Sequence, residues 1–180
     1  LPVPPVQKGI ILLRGSNGSG KTTLLRLLSS KFNYSVRKFI PEMANIFLEQ
    51  STAFIEETTI SQAETLSKNI CYLNAYLKAN NNLQNDYFLR LRLNDKILNR
   101  KFKKCSTGEK KKFLSVLNLC QTDKTIYYLD EPFENIDVES KTHLLDILKS
   151  QFVGSNKTLY LTTHNTEIIE TIPYLVVEIE

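Results

Sequence analysis

An α/β fold with a mostly parallel sheet, helices on its faces and a helical insertion is the expected class, and three observations carry that expectation. Short apolar runs alternate with segments of helical period at both ends of the chain. The middle, roughly 55–120, shows helical period without a strand-like run, so it reads as the insertion. A length of 180 residues, 42% of them hydrophobic and 23% charged, fits one domain over 1–180 with a sizeable core.

The elements follow in order. Ile10, Ile11, Leu12 and Leu13 form a short apolar run between Gly9 and Gly15, a buried strand that feeds a glycine loop. A helix is predicted over 21–31, with Leu24, Leu27 and Leu28 at helical spacing and Leu25 widening the apolar face. Residues 36–40 make a second strand candidate, stopped by Pro41, whose ring removes a ladder donor. The clearest amphipathic helix is predicted over 58–77, where Ala63, Leu66, Ile70, Leu73 and Leu77 step by three or four. Four Asn among residues 80–85 are expected to break it, because their side chains compete for backbone hydrogen bonds. Further helices are predicted over 108–119 and 138–152, the second carrying Leu144, Leu145 and Leu148 inward. Strands are predicted over 125–129, 158–162 and 174–179, each rich in β-branched or aromatic residues.

Composition narrows the function. The formal charge of +4 is small and dispersed, with only Lys110, Lys111 and Lys112 as a tight basic run, so no nucleic-acid partner is expected. Cys71, Cys105 and Cys120 have no C-x-x-C spacing, which suggests neither a disulfide framework nor a zinc site. No apolar run approaches the roughly 18 residues that span a bilayer, so a chain that is soluble or peripheral to a membrane is expected.

Gly15, Ser16, Asn17, Gly18, Ser19, Gly20, Lys21 and Thr22 match G-x-x-x-x-G-K-[ST] between a predicted strand and a predicted helix, with Thr23 next. Half of the six glycines stand in this loop. Glycines let successive backbone N–H groups converge on an anion, and the helix N-terminus adds its partial positive charge. The reading is a P-loop NTPase that binds ATP, with Lys21 on the β- and γ-phosphates and the Thr22 hydroxyl on Mg²⁺.

Asp130, at the end of a predicted strand, is placed to support that Mg²⁺, and Glu131 directly after it to polarise an attacking water. The plainer alternative is a solvated strand end. His164 ends the next predicted strand, and parallel strands deliver such ends to one ligand-binding edge. His143, on a predicted helix, has only a structural reading. Ser106, Thr107, Gly108 and Glu109 open a helix, either as an anion-friendly terminus strengthened by the lysines that follow or as an ordinary capping box.

These residues together resemble the ATP-binding cassette family. GSNGSGKTTLL is similar to its P-loop, residues 105–109 stand where its LSGGQ signature falls, and residues 127–132 resemble its Walker B strand. Residues 133–137 look like its D-loop, with Asp137 in place, and His164 matches the switch histidine. The resemblance implies two cassettes paired head to tail, with ATP between one P-loop and the Ser106, Thr107, Gly108 and Glu109 of the other. It also implies Thr22, Asp130 and Glu42 at Mg²⁺, Glu131 at the water and His164 at the γ-phosphate. Glu42 stands for the usual Q-loop glutamine, Gln50 being the weaker candidate, while Thr107 replaces a glycine and Glu109 a glutamine. The family carries an antiparallel β-subdomain before this point, and only eight residues precede Gly9, so that subdomain is expected to be truncated or absent.

The resemblance further implies an integral-membrane transporter subunit as partner and a place on the inner face of a membrane. Within the family, LLRGSNGSGKTTLLRLL and LDEPFENID look most like the ATPase of the haem-handling exporters of cytochrome c maturation. A soluble non-transport ATPase and a degenerate cassette that holds ATP structurally are the alternatives. The apolar residues Ile46, Phe47, Leu48, Phe54 and Ile55 are expected either to line a groove for a partner helix, through Phe47 or Phe54, or to pack in the core.

Overall fold

The computed structural model describes residues 8–29 and 52–179. They divide into two compact units. One holds the described residues up to Phe54, Lys124–Glu131 and those from Lys149 onward; the other holds Ile55–Asp123 and Pro132–Leu148.

The first unit is built on a five-stranded sheet of β1 (Gly9–Arg14), β2 (Thr52–Ala53), β3 (Ile126–Asp130), β4 (Thr158–Thr162) and β5 (Tyr174–Glu178). Their spatial order is β2-β3-β4-β1-β5, and every pairing is parallel. A parallel sheet covered on both faces needs strands that are apolar throughout, and all five residues of β4 are buried, as are Ile10, Ile11, Leu12 and Leu13 of β1. The helix α1 (Lys21–Leu28) brings Leu24, Leu25 and Leu28 to a cluster with Ile11, Leu13, Ile126, Tyr128 and Tyr160. Tyr128 stacks on Tyr160 at 5.3 Å and donates its hydroxyl to the Leu28 carbonyl at 2.9 Å, so its one polar atom is satisfied in the core. Tyr127, pointing the opposite way along the same strand, meets Phe152 edge-on at 5.1 Å.

Phe54 takes the core side of the alternative stated for it. Thr52 pairs with Ile126, which sets the residue after β2 over the Tyr128 face, and Phe54 packs edge-on against Tyr128 at 5.7 Å. It is buried in the core cluster and cannot line a groove for a partner helix. Phe47, Ile46, Leu48, Glu42, Gln50 and the predicted strand over 36–40 lie outside the described residues.

The second unit is helical: α2 (Leu66–Asn74), α3 (Asn81–Arg90), α4 (Asp95–Leu98), α5 (Thr107–Leu119) and α6 (Val138–Phe152) as far as Leu148. Phe113 is its hub, stacked on Phe88 at 6.0 Å and tilted against Phe102 at 6.1 Å. The helix predicted over 58–77 is corrected to a 3-10 turn at Glu57–Thr59 and α2. Asn69 explains the gap: its amide bonds both the N–H and the carbonyl of Ser61, which fixes that peptide outside a helix, and Thr65 then caps α2 by accepting from the Lys68 N–H. The Asn-rich run acts as a start as well as a break, since Asn80 accepts from the Leu83 N–H and caps α3. The helix predicted over 21–31 ends at Leu28, where the Ser29 N–H closes on the Leu25 carbonyl.

Candidate functional site

The loop after β1 leads into α1 through Gly20, which sits in the left-handed region at φ 91, with Gly18 also left-handed at φ 85. Gly15 is required for another reason: a Cβ there would fall 2.5 Å from the Ile179 carbonyl oxygen. No side chain caps the first turn of α1, so its N-terminal donors face the loop. Lys21 is buried and folds back over this loop, donating to the carbonyls of Gly15 and Ser16 at 2.9 Å each. Ser19 Oγ is buried with no hydrogen-bond partner among the described residues. An ammonium compensated, among the described residues, by neutral carbonyls, beside helix N-terminal donors and an orphaned hydroxyl, suits a polyanion.

The sheet register brings the acidic strand end to the same loop. Thr22 Oγ1 donates to Asp130 Oδ2 at 2.8 Å, and Thr162 Oγ1 donates to Asp130 Oδ1 at 2.7 Å. Thr162 is the residue opposite Asp130 in the β3–β4 register and also accepts from the Glu131 N–H at 2.9 Å. Motif reading missed it, and only the register could have found it. Glu131 has φ 48, a conformation that costs a non-glycine residue about 1–3 kcal/mol. Its carboxylate accepts from the His164 backbone N–H at 3.1 Å and lies 3.2 Å from His164 Nε2. Asn17, Gly18, Gly20, Lys21, Thr22, Thr23, Asp130, Glu131 and His164 line one cavity of about 390 Å³.

This donor set fits Mg²⁺ with a nucleotide. A hydroxyl and a carboxylate supply hard oxygen ligands, and the remaining positions suit phosphate oxygens and water, the usual arrangement for this ion. Among the described residues no group of three or more His, Cys, Asp or Glu could hold a metal by itself. Glu42 lies outside the described residues.

The second unit holds the other predicted residues. Ser106 and Glu109 form a reciprocal capping box on α5: the Glu109 N–H donates to Ser106 Oγ at 3.2 Å and the Ser106 N–H to Glu109 Oε2 at 2.9 Å. Arg100 also donates to Glu109. Burial alone would raise the Glu109 pKa, but the Ser106 and Arg100 hydrogen bonds outweigh it and hold the carboxyl below its ordinary range. The three lysines that follow are each engaged within the chain. Lys110 pairs with Glu57 and lies over the Phe102 ring, Lys111 pairs with Glu134, and Lys112 with Asp137. His143 is partly exposed, 4.0 Å from Glu139.

The sequence pattern of the ABC transporter family matches residues 6–134. The cytochrome c biogenesis ATP-binding export protein CcmA of Reclinomonas americana is 30% identical over 141 residues, covering 73% of this chain and 63% of that protein. The translation initiation factor RLI1 of Chaetomium thermophilum is 28% identical over 156 residues, covering 87% of this chain and 24% of that protein. This chain therefore spans less than two thirds of either relative. In fold it is similar to an ATP-binding cassette solved as a dimer in a post-hydrolysis state with ADP and Pi, with a TM-score of 0.69, 15% identity, and coverage of 96% of this chain and 83% of the other. The matched residues run through the phosphate loop, the α5 capping box and the acidic end of β3, and they cover well over half of the sequence; the chain belongs to the ABC transporter family.

Proposed function

We propose that this chain is an ATP-binding and ATP-hydrolysing cassette that works with Mg²⁺. The observation that carries the reading is the convergence of Lys21, Thr22, Asp130, Glu131 and His164 on one cavity beside a phosphate loop. Lys21 exchanges its loop carbonyls for the β- and γ-phosphates and neutralises their charge. Thr22 and Asp130, the latter fixed by Thr162, would hold the metal, which would supply polarisation of the phosphate oxygens when bound. Glu131 orients the water and accepts its proton, and His164 both steadies the Glu131 carboxylate and reaches the γ-phosphate.

In the same reading, Ser106, Thr107, Gly108 and Glu109 meet the nucleotide of a second cassette, head to tail, with Asp137 beside them. A cassette of similar fold solved as a dimer supports the pairing of two cassettes. The chain serves a transporter on the inner face of a membrane, bacterial cytoplasm or mitochondrial matrix side, and haem handling is the finer assignment favoured by the CcmA-type similarity. No helix among the described residues is long and apolar enough to cross a membrane. The similarity to a translation factor supports a second reading, a non-transport ATPase. Co-purification with an integral-membrane subunit favours the first; its absence, together with ribosome association, favours the second.

Glu131→Gln tests the enzymatic part. It should keep MgATP affinity and lose turnover by about 10²–10⁴-fold, because the amide cannot accept the proton. Unchanged turnover in the full chain would sink the assignment.

A further inference from the structure

We propose that Lys112 is a positioning residue that fastens the turn at residues 133–137 to the start of α5, so that the two are presented to a partner as one rigid element. The proposal rests on the reading that residues 106–109 and Asp137 act across a cassette dimer.

Three contacts join the turn to one face of α5, at helix positions i, i+3 and i+4. At Gly108 a Cβ would fall 2.1 Å from the Asn135 carbonyl oxygen, so the backbones approach as closely as only glycine permits. Asn135 itself is held left-handed at φ 56. Lys111 Nζ lies 3.6 Å from the Glu134 carboxylate. Lys112 Nζ donates to Asp137 Oδ2 at 3.0 Å and to Ser140 Oγ at 3.3 Å, and Lys112 is only 7% exposed.

Asp137 already has a local task, since it accepts from the Ser140 N–H at 2.9 Å at the start of α6. A helix cap of that kind needs no buried cation. Placing an ammonium beside it carries a desolvation cost that an apolar side chain of similar volume would avoid, and in some proteins such a pair is kept for the geometry it specifies. Here the specified geometry is the position of Asp137 relative to the first turn of α5. Ser140, fully buried, shares the arrangement by donating to Asp137 Oδ2 at 2.8 Å.

The test is amide hydrogen exchange on the full chain for wild type, Lys112→Met and Lys112→Arg. In Lys112→Met the amides of residues 106–110 and 133–137 should exchange together, about tenfold faster or more, with β1 and β3 unchanged. Lys112→Arg should restore most of the protection, because the guanidinium can still donate to Asp137. In parallel, Lys112→Met should lower ATP turnover roughly a hundredfold with MgATP affinity within twofold. Loosening of one segment without the other, or of neither, overturns the proposal, and uniform loosening of all amides reduces Lys112 to a general fold residue. If wild type shows no turnover, the enzymatic reading falls, while the exchange comparison still decides the fastening.

Discussion

Gly18 and Gly108 stand in the two motifs of this chain and are glycine for different reasons. Gly18 has φ 85 and open space where a side chain would be, so it serves a backbone conformation and leaves room for a ligand. Gly108 has a carbonyl oxygen where a side chain would be, so it serves packing. The buried lysines differ in the same way. Lys21 gives its ammonium to two neutral carbonyls, whereas Lys112 gives its ammonium to a carboxylate. The phosphate loop therefore holds positive charge and donors beyond what its own packing uses, whereas at the start of α5 the side chains of Ser106, Glu109 and Lys112 are each bonded within the chain. A motif residue can be indispensable to the fold at one place and to a ligand at the other.

Replacing Lys21 by Ala is the sharpest way to break this comparison. Removing a charge-assisted contact worth about 1.5–3 kcal/mol should weaken MgATP binding by roughly 10–100-fold, with little change in melting temperature. Calorimetric titration and thermal melting of the same preparation check both. If melting falls and affinity holds, Lys21 is a core residue and the contrast with Lys112 disappears.

The glycines give the next effect. Gly108→Ala should destabilise by about 1–3 kcal/mol, since the Asn135 backbone must move to admit a methyl group. Gly18→Ala should cost about 1 kcal/mol from the left-handed backbone alone and should also reduce nucleotide affinity. Urea unfolding with and without MgATP separates the two variants. A larger loss of affinity in the isolated Gly108→Ala chain than in Gly18→Ala would reverse the assignment of roles.

Much of the first unit was legible in the sequence, because a buried parallel strand is an uninterrupted apolar run and a phosphate loop is written in glycines. Residues 158–162 could be read to the residue for that reason. Thr162 was invisible as a site residue, because its role comes from lying opposite Asp130, and register between strands 32 residues apart is not a local property. In the second unit, the apolar period over 58–77 overstated the helix because Asn69 spends its side chain on the Ser61 backbone. Side-chain-to-backbone bonds of this kind leave no periodic trace. The alternative of a capping box at Ser106 was correctly visible, since S-x-x-E is a local pattern, but the individual partners of Lys110, Lys111 and Lys112 were not.

The smallest effect expected concerns acid. Glu109 is mostly buried, and its carboxylate accepts from the Ser106 N–H and from Arg100, which together hold its pKa below the ordinary 4.5. As pH falls, the unfolded chain therefore takes up this proton before the folded chain does, and stability declines with it. The contribution is complete above about pH 4.5 and fades as pH drops through the lower value of the folded state. Glu109→Gln keeps an acceptor for the Ser106 N–H but removes the charge, so it should cost about 1 kcal/mol at neutral pH and progressively less below pH 4.5. Unfolding measured on both proteins from pH 7 down to about 3 gives the two curves, which should converge on the acid side. Curves that stay parallel would mean that the charge adds nothing at this helix start, leaving the cap itself as the whole of what Glu109 contributes to the fold.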